Sequence, residues 1–521
     1  MRLRVGLMVR TPTWEQICRQ EGVPFGRVSL ESAPLRDQCS VLVVNRPVSR
    51  DEREAFMDFL KAGGAVLGWA RHLAGVAGTT ARSERLEYLV ANKGEKNYGV
   101  SLLDLAVEGD VPGEANALRT QADGYAMFAG PIAGGFAVIL PFDVEDALND
   151  ARSVNKNFYF HTERLPSEQV SLAGKGEVRQ LLHAAFAYLH HAQGLPYAHL
   201  GYYPADTRSI FAFRLDTDKS SRADIEAQYA LAEQHAMGLT WFLDAKSHEG
   251  WLAHFTFMAG QEIGLHCYEH QVYASYEDNF SNIAKGKHLL EATGLKPEGF
   301  AAPYGTWNPE IARAVDALGF AYSSEFSYAY DTLPLFPRSG GAASNVLQVP
   351  VHPICIGSLR KAGFTEVRMK EYFRAVIDQK LLRQEPLFFY HHPVHRCWDV
   401  VRDMFDYVQE RGIGNTTLGE YARWWKRRNA VEWTVETSGD ELRCSLADPN
   451  PEQGGAGLWL QVTDSAGREA TVPFAERVSL SALQPGADPV FSPPADIRRI
   501  REFDPRRLLG DVITTMSRRL R

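Results

Sequence analysis

Residues 210–219 read IFAFRLDTDK, an apolar run that ends in two carboxylates separated by one residue. A run of this length bounded by polar residues predicts a buried strand over 210–215. Because side chains alternate along an extended backbone, Arg214, Asp216 and Asp218 would all project to one face. Charged groups on the face of a buried strand need partners, either one another or a metal ion. Taken alone, such a motif is more often an Asp-rich turn that caps the following helix than a functional site, so other motifs are needed to decide.

Similar apolar segments recur further along the chain, separated by helical patterns. Strands are predicted at 239–243, 262–266, 299–302, 321–323 and 387–391. The best marked helix begins after Asn308, its N-cap, and stops at Gly319. Repeated βα units imply a parallel sheet, and the chemically interesting residues follow strand ends, where a (β/α) barrel keeps its active site. We predict an α/β fold over residues 205–428, in which a (β/α) barrel is favoured over a doubly wound sheet.

A second α/β pattern precedes the barrel, over residues 1–200. Apolar runs at 5–9, 41–44 and 65–67 predict buried parallel strands, with helices between them. A helical stretch at 178–191 would close this region. The first part of the chain is therefore predicted to be a separate domain with a parallel sheet.

Residues 41–70 read VLVVNRPVSRDEREAFMDFLKAGGAVLGWA, in which Ser49 and Glu52 form a capping box before a helix. This stretch resembles the glutamine-amidotransferase-like domains, which have a flavodoxin-like fold. Active members of that family carry a nucleophilic cysteine after the third strand, whereas residues 68–72 here read GWARH. The resemblance thus implies a catalytically silent flavodoxin-like domain.

Short alternating runs replace the α/β pattern after residue 430 and predict a small antiparallel β-sandwich over 430–500. Residues 501–521 are predicted to form a basic amphipathic helix, with five arginines between Pro505 and Arg521. Such a helix either docks on its own protein, which is the more common case, or makes peripheral contact with an anionic membrane.

Composition excludes some classes of protein. The 521 residues include 56 Lys plus Arg against 64 Asp plus Glu, a balance that argues against nucleic acid as a partner. The apolar run near the start is too short for a signal peptide, and no segment reaches 18 apolar residues, so we expect a soluble, cytoplasmic protein. The six cysteines form no CxxC pair, which is typical of reduced thiols.

A second strand end carries metal-ligand residue types. Residues 264–270 read GLHCYEH, so His266 and His270 are spaced i and i+4, and a helical turn would place both imidazoles on one face. One carboxylate and two imidazoles leave coordination positions for water and a substrate oxygen, as in catalytic sites for zinc or a similar divalent ion. A second carboxylate nearby can act as the general base. The two strand ends together predict a metal-dependent hydrolase.

The order of these motifs resembles the polysaccharide deacetylase domain (NodB homology, carbohydrate esterase family 4). An Asp-x-Asp strand end is followed by His-x-x-x-His, then by residues 302–305, APYG, and finally by a strand that runs into residues 392–393, HP. The resemblance implies a NodB-type barrel and assigns a role to each motif. Asp216 would be the general base, and Asp218, His266 and His270 would be the metal ligands.

The resemblance also implies roles for two later residues. The backbone N–H of Tyr304 would bind the oxyanion, and His392 would be the general acid, with His391 and His395 as open alternatives. This chain has alanines at 301 and 302, where the family usually has an arginine that pairs with the catalytic aspartate. We expect Arg214 to take over that pairing.

Further side chains are weaker predictions for the same site. Glu325 lies where the family often has an acid that orients its partners. Aromatic residues that would either stack on sugar rings or belong to the core are Trp307, Phe326, Tyr328 and Tyr330. Cys267 is expected to point away from the two histidines and to pack in the core.

The resemblance implies removal of an N-acyl group, most often acetyl, from an amino sugar. The partner would be an amino-sugar-containing glycan or glycan precursor. Two alternatives stay open: a deformylase or another hydrolase of C–N bonds, and a non-catalytic scaffold that binds glycans during polysaccharide assembly.

Overall fold

The computed structural model describes residues 1–486, except 31, 32, 77, 93, 162, 205, 340, 341 and 448–456, together with residues 509, 512 and 516. The predicted tail helix at 501–521 lies outside the described residues apart from those last three, as does the end of the predicted sandwich. Within the described part of the chain, no helix is long and apolar enough to span a membrane.

A nine-stranded sheet forms the N-terminal part of the molecule. Its five parallel strands lie side by side in the order Phe25–Arg27, Val5–Leu7, Val41–Val44, Ala65–Trp69 and Gly135–Leu140. Numbered among themselves, they follow the order 2-1-3-4-5 of a doubly wound sheet. Antiparallel strands extend the last edge: Tyr125–Ile132, Ala117–Arg119, Ala81–Val90 and Leu102–Pro112. The amidotransferase-like assignment of this region stays a prediction.

Helices cover both faces of this sheet. Their bounds are Pro12–Glu21, Leu35–Gln38, Arg53–Lys61, Ala70–Leu73, Val144–Asn149 and Lys175–Ala192. The two hydrogen bonds of the predicted capping box form, from Ser49 N to Glu52 Oε2 over 3.0 Å and from Glu52 N to Ser49 Oγ over 3.3 Å. They close the turn before the helix and do not cap it, because the helix begins at Arg53 with Glu52 as its N-cap. The helix that follows buries Phe56 and Phe59 against the sheet.

Between the first sheet and helix Lys175–Ala192, residues 153–171 form a crossing segment that packs on the second α/β unit, after which the chain returns to the first sheet. Two small hairpins lie in this crossing segment: Ser153–Lys156 with Glu168–Ser171, and Tyr159–Phe160 with Glu163–Arg164. Phe160 and Leu165 are buried in the core of the second unit. The segment therefore belongs structurally to the unit that follows it in sequence.

The second unit is a curled sheet of seven parallel strands. Their spatial order is Leu347–Gln348, Tyr322–Ser323, Gly299–Phe300, Glu262–Leu265, Thr240–Leu243, Phe211–Asp216 and Leu387–His391. The two outer strands do not pair with each other within the described residues, so the sheet is a half-barrel and not a closed barrel. A short antiparallel hairpin, Arg338–Ser339 with Ala342–Ala343, lies outside it.

The helices of this unit connect and cover the strands. They are Arg222–Gln234, Ala245–His248, Tyr276–Ala292, Pro309–Ala317, Ile356–Lys361, Glu366–Leu382, Trp398–Glu410 and Leu418–Ala430, with 3-10 turns at Leu252–Phe257, Pro303–Gly305 and Pro393–His395. The predicted N-cap is present, since Ile311 N donates to Asn308 Oδ1 over 2.8 Å.

Alternation along strand Phe211–Asp216 separates two cores. Phe211 and Phe213 point outward into the core under the surrounding helices, whereas Ala212 points inward. Helix Leu418–Ala430 fills the inner side with aromatic residues, including Trp425. Arg214 and Asp216 are therefore buried on the inner side, at the carboxyl end of the strand.

Two antiparallel sheets share one hydrophobic core, and most of their strands lie after residue 430. One consists of Trp433–Ser438, Glu441–Leu446 and Arg477–Ser479, and the other of Tyr197–Leu200, Trp459–Thr463, Arg468–Pro473 and Gln484–Pro485. A 3-10 turn lies at Leu480–Ala482. Residues 197–200, predicted as the end of the first domain, thus pair with the C-terminal region.

Candidate active site

Arg214 and Asp216 form a buried ion pair at the end of the central strand. The guanidinium donates two parallel hydrogen bonds to the carboxylate, from Nε to Oδ1 over 2.7 Å and from Nη2 to Oδ2 over 2.6 Å. The rings of Phe242 and Tyr390 lie 5.3 and 5.5 Å from the guanidinium carbon. Burial alone would raise the pKa of Asp216, but the Arg214 charge lowers it to about 2. Asp216 is thus ionised, oriented and held in place.

Three further side chains converge close to this pair: those of Asp218, His266 and His270. One ligand atom of each lies within 4.8 Å of the others. Asp218 Oδ1 is 4.0 Å from His266 Nε2, and Asp218 Oδ2 is 3.9 Å from His270 Nε2. Asp218 Oδ1 and His266 Nε2 are buried and make no hydrogen bond within the described part of the chain. A carboxylate oxygen and an imidazole nitrogen in that condition fit a divalent cation.

The two histidines do not lie on a helical turn, which corrects the sequence-based expectation. They follow strand Glu262–Leu265 in a loop, because Cys267 adopts a positive φ of 64° and turns the chain. His266 Nδ1 lies 2.7 Å from the carbonyl oxygen of Ala301, so the ring donates there and presents Nε2 to the site. Burial lowers the pKa of His266 to about 4, which keeps it neutral as a ligand must be.

The three candidate histidines after the last strand differ in position. His391 is buried on the outer side, where its ring lies 6.2 Å from that of Phe213 and its Nε2 is 3.2 Å from the carbonyl oxygen of Arg396. His392 faces inward, with Nε2 3.4 Å from Asp218 Oδ1. Burial opposes the charge on His392, but the Asp218 carboxylate raises its pKa to about 9. His395 lines the same pocket at a ring distance of 5.5 Å from His392.

Tyr304 occupies the middle of the turn Pro303–Gly305 with a φ of 60°, and its ring packs edge-on against His270. Buried Glu325 holds the start of this turn. Its Oε1 accepts the backbone N–H of Ala302 over 3.2 Å, and its Oε2 accepts from Ser323 Oγ and Gln348 Nε2. Burial raises the pKa of Glu325. The predicted orienting acid therefore lies under the turn and not in the pocket itself.

A pocket of about 440 Å³ joins these groups. Predicted residues that line it are Asp216, Asp218, His270, Tyr304, His392, His395 and Phe326. Trp307 and Tyr328 instead pack on each other in a separate cluster, and Tyr330 packs against Phe158. Cys267 is buried in the outer core, as expected.

Other lining residues have no precedent in the sequence-based prediction. Cys355, Ser358 and Tyr390 come from the second unit, and Glu168 comes from the crossing segment. Ser358 Oγ donates to Glu168 Oε1 over 2.8 Å. No local pattern marks Glu168, because its place in the pocket depends on how the crossing segment packs on a unit that begins some forty residues later.

The arrangement places a buried carboxylate, three potential cation ligands and the His392 imidazole around one pocket. Residues 215–323 match the family model described as polysaccharide deacetylase. This stretch is a polysaccharide deacetylase domain. The match includes both carboxylates, both histidines of the candidate metal site and Tyr304, whereas Arg214 and His392 lie outside it. The resemblance predicted from the order of motifs is thus confirmed for this part of the chain.

Solved structures similar to the deacetylase domain cover less than half of the chain. A probable polysaccharide deacetylase from Pseudomonas aeruginosa PAO1 is 18% identical, with a TM-score of 0.38, over 43% of this chain and 93% of its own. A family 4 acetyl xylan esterase from Clostridium thermocellum, in complex with a cobalt ion, is 13% identical, with a TM-score of 0.30, over 42% and 91%. A CE4 family pseudoenzyme from Bacillus anthracis is 15% identical, with a TM-score of 0.29, over 42% and 66%. No curated protein is significantly similar to the chain.

Proposed function

We propose that this protein is a metal-dependent hydrolase that removes an N-acyl group, most often acetyl, from an amino sugar of a glycan or glycan precursor. One observation carries the proposal: ligand atoms of Asp218 and His266 that make no hydrogen bond within the described residues lie beside His270, at a pocket that also holds the Asp216 carboxylate. A degraded site would have no physical reason to keep buried polar atoms without partners.

Asp218, His266 and His270 would hold the cation, and zinc or a similar divalent ion suits this donor set. When bound, such an ion polarises the scissile carbonyl and makes water more acidic. The carboxylate of Asp216 accepts the proton of the attacking water, because Arg214 keeps it ionised and oriented. The turn at Tyr304 directs a backbone N–H toward the developing oxyanion.

His392 completes the reaction. Its imidazolium donates a proton to the nitrogen of the departing amine, and the C–N bond then breaks. His392 suits this role because it faces the pocket from the side of Asp218, whereas His391 faces the outer core. The cytoplasmic location expected from the sequence is part of this proposal. That location would favour a glycan precursor over a finished glycan as the substrate.

Metal content and product release test the proposal together. We expect close to one divalent ion per chain in the purified protein by elemental analysis, and release of acetate from an N-acetylated amino-sugar oligomer. The double variant His266→Gln/His270→Gln should contain no ion and release no acetate. His288→Gln removes an exposed imidazole of the same domain and should behave as the parent.

Other results would redirect the assignment. Release of formate from a formylated amino sugar, with no acetate from the acetylated one, would indicate the deformylase alternative. A parent protein that binds no ion after incubation with zinc, cobalt or manganese would contradict the proposal. Glycan binding that survives Asp216→Asn without any turnover of the parent would indicate a scaffold.

A further inference from the structure

A second cleft lies outside the deacetylase pocket, between the edge of the N-terminal sheet and the C-terminal β region. It encloses about 560 Å³, and four arginines line it: Arg2, Arg4, Arg10 and Arg27. Clefts between structural units are common ligand sites. The chain as a whole carries a formal net charge of -8, so this concentration of positive charge does not follow from composition.

Two of the four arginines already have acidic partners. Arg10 Nε lies 2.7 Å from Glu15 Oε1, and Arg2 Nε lies 3.5 Å from Glu436 Oε1. Arg4, which is half-buried, and Arg27, which is exposed, form no ion pair within the described ranges of the chain. Their charges are therefore available to a ligand.

Gly26 makes room for the side chain of Arg4, the half-buried one of these two arginines. A Cβ added at this position would lie 1.7 Å from Nη2 of Arg4, so any side chain at position 26 must displace the guanidinium. Gly26 lies in the edge strand Phe25–Arg27, directly beside Arg27. The fold thus keeps the Arg4 guanidinium at the sheet edge, although burial and the charge of Arg2 lower the pKa of Arg4.

We propose that this cleft binds an anionic ligand whose phosphate or carboxylate oxygens pair with Arg4 and Arg27. Planar guanidinium groups bind such oxygens through parallel hydrogen bonds, and a half-buried guanidinium is screened less by water and salt than an exposed one. A phosphate-bearing small molecule and an acidic polysaccharide share this chemistry. The site is independent of the proposed hydrolase activity, because none of its lining residues belongs to the deacetylase pocket.

Isothermal titration calorimetry on the full chain tests this site, with inorganic pyrophosphate and a trimer of galacturonic acid as separate probes. We expect saturable binding of at least one probe, weaker at high salt. The double variant Arg4→Gln/Arg27→Gln should weaken it at least tenfold. The probe that binds more tightly identifies the source of the anion.

Three further variants make the test specific. Gly26→Ala keeps every charge but displaces the Arg4 guanidinium, so it should also weaken binding. Arg50→Gln removes an exposed arginine elsewhere, and Lys361→Gln removes a cation of the deacetylase pocket; both should leave the dissociation constant unchanged. Because Arg27 is exposed, Arg27→Gln alone tests the site even where Arg4→Gln does not fold. Unchanged binding in the double variant, lost binding in Lys361→Gln, or no saturable binding of either probe would overturn the proposal.

Discussion

The Arg214 guanidinium is enclosed by protein on every side. Besides the two bonds to Asp216, it donates to the backbone carbonyl and the hydroxyl of Ser324, and aromatic rings cover its faces. A bidentate bond fixes both the position and the orientation of a carboxylate. The Arg214–Asp216 pairing expected from the sequence is thus present in the structure.

Removing this guanidinium should abolish most of the activity. We expect Arg214→Ala to lower kcat at least about a hundredfold, because Asp216 loses its orientation and its charge is no longer compensated. Unfolding should become easier by about 3–5 kcal/mol, the usual cost of leaving a buried charge unpaired. Arg214→Lys keeps the charge but not the two parallel bonds, so its kcat and its stability should lie between those of the parent and Arg214→Ala. Kinetics, urea unfolding and metal content would be measured together. Near-normal turnover in Arg214→Ala would contradict the role of Arg214 in orienting Asp216.

The two neighbouring histidines should differ in their effect on kcat when each is replaced by Asn. His392→Asn should lower kcat about 10²–10⁴-fold, the usual contribution of a general acid, and should also lower stability at neutral pH, because the Asp218 carboxylate raises the pKa of His392 in the folded protein. His391→Asn should lower the melting temperature, since a buried ring is lost from the outer core, while kcat per folded molecule stays close to that of the parent. Thermal melts and acetate release would distinguish the two. The reverse pattern would assign the acid to His391.

Among the elements, the turn Pro303–Gly305 depends strongly on the residues that form it. Tyr304 and Gly305 both adopt positive φ, of 60° and 62°, which costs an ordinary side chain energy. Gly305 also packs against Phe326, so that an added Cβ would lie 2.2 Å from the ring. Glu325 holds the turn from below. The backbone of the turn thus requires a glycine at position 305 for two independent reasons: the positive φ and the close approach of Phe326.

Gly305→Ala should therefore lose activity as well as stability. The substitution adds backbone strain of about 1–2 kcal/mol and also forces the Phe326 ring or the turn to move. Gly363→Ala is the matched control, since Gly363 has a φ of 82° but no atom within 4 Å of an added Cβ. We expect the control to lose stability alone, with kcat unchanged. Equal effects of the two substitutions on kcat would show that the turn does not position the reacting groups.

At the scale of the whole molecule, a buried charge network joins the three regions. Glu21, at the end of helix Pro12–Glu21, accepts a hydrogen bond from Tyr202 over 3.0 Å and lies 3.4 Å from Nη1 of Arg179 and 3.1 Å from Nδ1 of His183. Arg428, in helix Leu418–Ala430, donates to backbone carbonyls at the end of the same helix as Glu21 and at the end of strand Tyr197–Leu200. The regions are thus linked by buried polar contacts.

This network predicts how stability depends on pH. Burial opposes the charge on Glu21, but His183 and Arg179 lower its pKa to about 2 in the folded protein. Since the folded pKa is depressed, the stabilisation is complete above the ordinary value of 4.5 and is lost as pH falls toward 2. The difference corresponds to about 3 kcal/mol at neutral pH.

Substitution of Glu21 would measure this contribution. Glu21→Gln should be about 3 kcal/mol less stable than the parent at pH 7, and the difference should shrink as the pH falls below 4.5. Glu15→Gln, in the same helix, removes a surface ion pair with Arg10 and should cost less than about 1 kcal/mol. Urea unfolding at several pH values would give both numbers. A constant difference between parent and Glu21→Gln across this range would contradict the account.

Much of the fold could be read from signals that lie within a few residues of each other. The last strand, Leu387–His391, has the predicted bounds, and the Asn308 cap forms the predicted hydrogen bond. The meeting of the deacetylase motifs at one edge of the sheet was also predictable, because each motif follows a strand and parallel strands bring their carboxyl ends together. Local alternation and capping suffice for such features, since their energies depend on neighbours in the chain.

Packing between distant segments decided the rest. Only the tertiary structure brings Glu168 into the deacetylase pocket, pairs residues 197–200 with Trp459–Thr463, leaves the barrel open and turns His391 away from His392. The arginine cleft likewise combines residues from both ends of the chain. Contacts of this kind form between segments more than a hundred residues apart, where no local periodicity or cap can signal which surfaces will meet.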